Sequence, residues 1–258
     1  MNFKYPLPIS IKKIINDSEL KEINIGCSDS QVVRIKKDNR TLYLKIMKEN
    51  QLFQEYKKLV WLSTKLPVPK IIDFVQEYGN DYLITEEMPG KMLCDEYYIN
   101  NPDIAILILK DAFQNLFSVD ISNCPFDVSN EYKLSLIENN VSKGLVNNLS
   151  LSSETRKKFG TVQNLLQYLQ NNRFPEELVF SHGDTSLPNI FAIKDKFSGF
   201  IDVGESGIAD KWFDLAICEK SILRNYGQEY VNKFYEVLNI KRDDFKITYY
   251  LLMMELYL

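Results

Sequence analysis

Apolar and polar residues alternate in short runs over the first third of the chain, in "QVVRIKK" (31–37), "TLYLKIM" (41–47) and "DYLITEE" (81–87). These runs are rich in Val, Ile and Tyr and are bounded by Asp-Asn, Gly-Asn and Pro signals, which predicts strands. Between them, "QLFQEYKKLVWLSTKL" (51–66) repeats apolar residues at Phe53, Tyr56, Leu59, Val60, Leu62 and Leu66, a helical period. Beyond "EEMPGKML" (86–93) the period changes. "DIAILILKDAFQNLF", "TVQNLLQYLQ", "FDLAICEKSILRNY", "EYVNKFYEVL" and "DDFKITYYLLMMELY" carry apolar residues three and four apart, with Asp or Thr near several starts as caps. Strand-like runs interrupt this helical part once, around 178–202. The pattern predicts an α+β chain with a small antiparallel β lobe holding one helix, 1–88, and a larger, mainly helical lobe, 89–258. No repeat or Gly/Ser linker separates them, so the connection is short.

Composition narrows the function. The 258 residues are 45% hydrophobic, enough for a sizeable core, and the formal charge of -4 argues against a general binder of nucleic acid or anionic membrane. Cys27, Cys94, Cys124 and Cys218 stand far apart, and with one histidine in the chain neither a zinc site nor a disulfide framework is expected. The opening "MNFKYPLPISIKKII" is broken by Pro6, Pro8, Lys12 and Lys13, and no run of about 18 apolar residues follows, so a cytoplasmic monomer or weak dimer is expected.

The candidate chemistry lies in "VFSHGDTSLPNIF" (179–191) and "SGFID" (198–202). If Lys194 to Phe197 connect an antiparallel hairpin, Ile193 faces Ser198 and Asn189 faces Asp202, which brings two oxygen ligands for a hard cation such as Mg²⁺ to its open end. Asp184 would hang beside them and orient a hydroxyl proton. Each alone reads as a turn or cap residue. Together, in the order Asp, four residues, Asn, later Asp, they match protein-kinase-type phosphotransferases. That chemistry also needs a strand lysine on the phosphates and a helix glutamate to position it, for which Lys45 and Glu55 are the candidates. The phosphate-covering loop would be "NIGCSDSQVV", where Ser28 and Ser30 hydroxyls and backbone N–H groups can cradle oxygens. No Walker A, G-x-S-x-G or H-E-x-x-H motif occurs. His182 reads as a packed structural residue, since the carboxylate two positions on is the better base.

"FSHGDTSLPNIF", "FSGFIDVGESGIADKWFDLA" and "KLPVPKII" resemble the aminoglycoside 3'-phosphotransferases, antibiotic-resistance kinases with a two-lobed protein-kinase-like fold, and the similarity runs along nearly the whole chain. The resemblance implies ATP or GTP as phosphoryl donor and Mg²⁺ as cofactor. It implies Asp184 as catalytic base, Asn189 and Asp202 as metal ligands, and Lys45 with Glu55 as the phosphate-anchoring pair. It further implies Tyr43 on the adenine face, Glu86 to Met88 as the hinge meeting the adenine edge, Asp214 as a buried brace, and Glu255 with Tyr257 at the acceptor pocket.

The acceptor stays open between an aminoglycoside hydroxyl and that of another small metabolite, such as a sugar, nucleoside or amino alcohol. Glu205 stands where the family usually has Arg, Arg224 and Asn225 where acidic residues are usual, and Leu258 extends past the usual end. The segment 129–173 carries six basic against three acidic side chains, a surplus that should repel a polycation. A nucleotide-binding regulator without catalysis ranks below both enzymes, because every chemical position is filled.

Overall fold

The computed structural model describes residues 3–23 and 30–257. The chain forms two compact units, Met1–Lys91 with Ile190–Gly204, and Met92–Asn189 with Glu205–Leu258. Numbered along the chain, the first contains α1 (Ile9–Ile15), β1 (Glu19–Ile23), β2 (Gln31–Lys37), β3 (Arg40–Lys48), α2 (Phe53–Leu62), β4 (Ile71–Glu77) and β5 (Asn80–Glu86). After β6 (Lys91–Met92) come α3 (Glu96–Ile99), α4 (Pro102–Phe117), α5 (Asn130–Ser142), α6 (Ser153–Phe159), α7 (Val162–Asn171) and β7 (Leu178–Ser181). The chain then re-enters the first unit through β8 (Ile190–Ile193) and β9 (Lys196–Phe200). It ends in the second with β10 (Gly207–Asp210), α8 (Lys211–Asn225), α9 (Gln228–Leu238) and α10 (Asp244–Met254).

In the first unit an antiparallel sheet runs in the order β1-β2-β3-β5-β4. The two-residue pleat of β3 sends Leu42, Leu44 and Ile46 into the core and leaves Tyr43 and Lys45 together on the opposite, half-buried face. Leu7 and Ile11 join Val33, Ile35 and Ile84 on the buried side. Full burial of Ile11 contributes about 1.5–3 kcal/mol. The sequence pattern did not predict α1. Pro8, one of the residues that break the apolar run, is its N-cap, where the missing N–H costs nothing. Nor did it predict β4, whose alternation is interrupted by a register shift between Ile71 and Asp73.

The β8–β9 hairpin departs from the expected register. A two-residue turn with Lys194 at φ 56 joins the strands, so Ile193 faces Lys196, Ala192 faces Phe197 and Phe191 faces Gly199. Ser198 is bulged out of the ladder, and its Oγ donates to Pro89 O at 2.6 Å. Asn189 closes a 3₁₀ turn before β8, and Asp202 lies beyond the end of β9, so neither belongs to the ladder.

The second unit is helical around a short antiparallel pair, β7 with β10, in which Ser181 faces Gly207 and Phe180 faces Ile208. α4 buries Ala105, Ile108, Leu109, Ala112, Phe113 and Leu116, and α8 buries Trp212 to Glu219. Among the described residues no helix is long and apolar enough to cross a membrane.

Candidate active site

The candidate residues fall into two groups, one in each unit. In the first, Lys45 Nζ lies 2.9 Å from Glu55 Oε2 and 3.0 Å from Asp202 Oδ1. Lys45 comes from the middle of β3 and Glu55 from the first turn of α2. Asp202 has φ 57, a left-handed bend that Asp tolerates better than most residues and that turns the chain after β9. Burial alone would pull the Lys45 pKa down, but the charges of Glu55 and Asp202 more than offset it and hold it above its ordinary value. Burial raises the Glu55 carboxyl against the pull of Lys45, and Asp202 adds to the rise.

Lys58, one turn beyond Glu55, is a residue the sequence reading passed over. It is buried, donates to Gly204 O at 2.5 Å, and its charge helps to keep Glu55 ionised. Its i+3 spacing from Glu55 was visible, but the carbonyl it binds lies 146 positions away, which no local pattern shows.

Tyr43 donates to Glu87 Oε1 at 3.1 Å. The Glu86 amide donates to Lys70 O at 2.8 Å and the Glu87 amide to Thr41 O at 3.0 Å. Met88 is buried against Gly199, where a Cβ would meet the Met88 sulfur at 2.6 Å, so only glycine fits. Ser30 directly precedes β2; Ser28 lies outside the described residues.

In the second unit the loop after β7 is held by hydrogen bonds. The buried Asp214 carboxylate accepts from the His182 amide at 2.9 Å and the Gly183 amide at 3.0 Å, and Thr185 Oγ1 donates to Asp214 O at 2.6 Å. Burial raises the Asp214 pKa, and the hydrogen bonds it accepts from the His182 and Gly183 amides oppose the rise. Gly183 has φ 85, and a Cβ there would lie 2.4 Å from Glu205 O, so the residue before Asp184 has to be glycine. His182 is buried, and its Nδ1 accepts from the Asp184 amide at 3.1 Å, the structural role expected of it.

Asp184 is oriented through both oxygens. Oδ1 accepts from the Ser186 amide at 3.2 Å, and Oδ2 from Asn189 Nδ2 at 2.8 Å. The same Asn189 nitrogen donates to Asp184 O at 3.0 Å. The carboxamide nitrogen is thus spent on Asp184, which leaves its oxygen as the kind of donor a hard cation takes.

Glu255 does not stand alone at the end of α10. Its Oε2 accepts from the Ser152 amide at 2.8 Å, and its Oε1 from Ser152 Oγ at 3.0 Å and Thr155 Oγ1 at 2.7 Å, at the start of α6. Tyr257 donates to Glu205 Oε2 at 2.8 Å. Asn225 turns back to Ser221 O at 2.7 Å, and Arg224 is exposed.

The charge count over 129–173 overstates what the folded surface presents. Lys133 is buried, donates to Val128 O and lies 4.3 Å over the Phe213 ring. Arg173 pairs with Glu131 at 2.5 Å, and Arg156 donates to Leu151 O at 3.0 Å. What remains exposed is Lys143, Arg156, Lys157 and Lys158 against Glu138 and Glu154, a surplus of two positive charges, since a hydrogen bond to a carbonyl leaves the Arg156 charge in place.

A lysine–glutamate–aspartate cluster in the first unit and an oriented His-Gly-Asp loop before an asparagine in the second are the residue types a kinase-like phosphotransferase needs. Residues 19–241 match the phosphotransferase enzyme family, and the chain belongs to that family. It is 35% identical over 256 residues to an aminoglycoside 3'-phosphotransferase of Enterococcus faecalis, covering 96% of this chain and 97% of the relative. To an aminoglycoside 3'-phosphotransferase of Staphylococcus aureus it is 34% identical, with the same coverage. The crystal structure of an aminoglycoside-3'-phosphotransferase of type VIII superposes with a TM-score of 0.83 at 25% identity, covering 96% of this chain and 97% of that one. The protein is a small-molecule phosphotransferase with the two-lobed kinase-like α+β fold.

Proposed function

We propose that this enzyme transfers the γ-phosphoryl group of ATP or GTP to the 3'-hydroxyl of an aminoglycoside, in the cytoplasm and as a monomer or weak dimer, and so confers resistance. The observation that carries the reading is the Asp184 carboxylate, fixed through both oxygens by Ser186 and Asn189 and ready to orient an acceptor hydroxyl. Near full-length similarity to enzymes with that acceptor in their names supports the choice of hydroxyl.

Phosphoryl transfer passes through a loose transition state, so positioning and charge neutralisation supply most of the rate. In this reading Asp184 accepts the hydroxyl proton. Lys45, held by Glu55, meets the phosphate oxygens. Asn189 Oδ1 and the half-exposed Asp202 carboxylate supply oxygen ligands, an all-oxygen set that fits Mg²⁺. Magnesium, when bound, neutralises charge on the transferring group. Tyr43 shares a strand face with Lys45 and offers its ring to the purine, the Glu86–Met88 backbone offers its edge groups, and Ser30, directly before β2, meets the phosphates. The rival reading, a kinase for another hydroxylated metabolite, draws on the basic 129–173 segment and on Glu205; near full-length similarity to enzymes named for aminoglycosides ranks it second.

The test is a coupled ADP-release assay with Mg²⁺ and ATP or GTP across aminoglycosides that have or lack the 3'-hydroxyl, with simple polyols beside them. Turnover confined to drugs with that hydroxyl is expected. Equal turnover of a 3'-deoxy drug, or turnover of polyols alone, would refute the proposal.

A further inference from the structure

Glu205 takes no part in the chemistry above, yet it is built against the catalytic loop. Its carbonyl and Cβ close over Gly183, at 2.4 and 2.7 Å from where a Cβ would stand, so it flanks Asp184 through one residue. Its side chain is exposed. Among the described residues no lysine or arginine pairs with it, and its one hydrogen bond comes from Tyr257 to Oε2 at 2.8 Å. Tyr257 is itself held, edge-on to Phe213 with ring centroids 6.3 Å apart. Burial, and then the charge of Glu205, raise the Tyr257 pKa, so the hydroxyl remains a donor and leaves the negative charge on the glutamate. Lys133, next to Tyr132 in α5, is buried over the Phe213 ring and donates to Val128 O. The other carboxylate of the chain end, Glu255, is committed to Ser152 and Thr155.

We propose that Glu205 is a specificity residue for the acceptor: its unshared oxygen receives an ammonium group carried near the hydroxyl that Asp184 orients, with Tyr257 fixing the carboxylate. The inference rests on the acceptor reading above and extends it by naming the residue that selects amine-bearing over neutral acceptors. An exposed carboxylate with no cationic partner among the described residues, held by one tyrosine hydroxyl, suits a cation through charge-assisted hydrogen bonding.

Glu205→Gln keeps the shape and the bond from Tyr257 but removes the charge. We expect the KM of an aminoglycoside to rise about tenfold, with kcat within about threefold and the gap narrowing as salt is raised. An aminoglycoside N-acetylated on the amines flanking the accepting hydroxyl should show the same KM with wild type and Glu205→Gln, and Glu205→Asp should restore part of the loss. Tyr257→Phe keeps the charge but frees the carboxylate, and should raise KM by about threefold. Thermal unfolding and calorimetric affinity for a non-hydrolysable nucleotide check that each variant is folded. An unchanged KM in Glu205→Gln, or equal rises for the free and acetylated drugs, would overturn the assignment. If wild type phosphorylates no aminoglycoside, the acceptor reading fails by itself. Calorimetric binding of the same drugs then decides on Glu205: weaker binding to Glu205→Gln would retain its role, and equal or absent binding would end it.

Discussion

The Lys45 cluster and the Asp184 loop reach fixed geometry by opposite means. Lys45, Glu55 and Asp202 come from a strand, a helix and a segment well over a hundred residues further on, and two ion pairs hold them together. The Asp184 loop is largely local: from Ser181 to Asn189 its shape is set by amide and amide-nitrogen hydrogen bonds, with Asp214 and Ser221 of α8 as distant supports. A charge cluster holds mobile side chains by attraction and depends on ionisation. A hydrogen-bonded loop holds one side chain by backbone geometry and depends on shape. Substitutions should therefore separate binding from chemistry along this divide.

The sharpest separation is expected from Asp184→Asn. An amide is nearly isosteric with the carboxylate but cannot take the hydroxyl proton, so kcat should fall by about 10²–10⁴. The Lys45 cluster is untouched, and nucleotide affinity measured by calorimetry should stay within about twofold. A variant keeping more than a few per cent of wild-type kcat would show that orientation of the hydroxyl does not depend on this carboxylate.

Lys58 tests the other side. Its ammonium ties α2 to the carbonyl of Gly204, two residues past Asp202, and also supports the charge of Glu55. Lys58→Met should release the turn that aims Asp202. The KM for Mg²⁺ at fixed nucleotide should rise about tenfold, and stability should drop by about 1–3 kcal/mol. Lys58→Arg should recover part of both. A lower Tm with an unchanged Mg²⁺ dependence would make Lys58 a packing residue only.

The same divide explains what the sequence made legible. The His-Gly-Asp and Asn residues are close in the chain, so their relation could be read directly, and the strand and helix periods around Lys45 and Glu55 were strong. The contacts of Lys58 with Gly204, Glu255 with Ser152, and Tyr257 with Glu205 each join residues dozens of positions or more apart, and no period or motif encodes them. The hairpin register was misread because the apolar alternation does not distinguish a two-residue turn followed by a bulge from a four-residue connection. The basic surplus of 129–173 is smaller at the surface than in the count, because a count cannot tell the buried Lys133 from the exposed Lys143.

The smallest effect concerns pH, and it should be one-sided. Lys45 is held above its ordinary value near 10.5, so its share of stability is fully present below that value and is lost only as pH rises through the higher folded one. The Lys45 cluster should therefore change nucleotide affinity by less than about twofold between about pH 7.5 and 9.5. Glu55 behaves in the opposite sense. Burial raises its carboxyl above 4.5, so as pH falls through the raised value it takes up a proton and the ion pair to Lys45 is lost, before an ordinary glutamate would titrate. Titrating Mg²⁺–nucleotide affinity against pH should give a flat alkaline side and an acid limb with its midpoint above 4.5, and Glu55→Gln should remove that limb. A symmetric profile, or an alkaline inflection that vanishes in Lys45→Arg, would mean that the cluster does not hold its charges as the geometry requires.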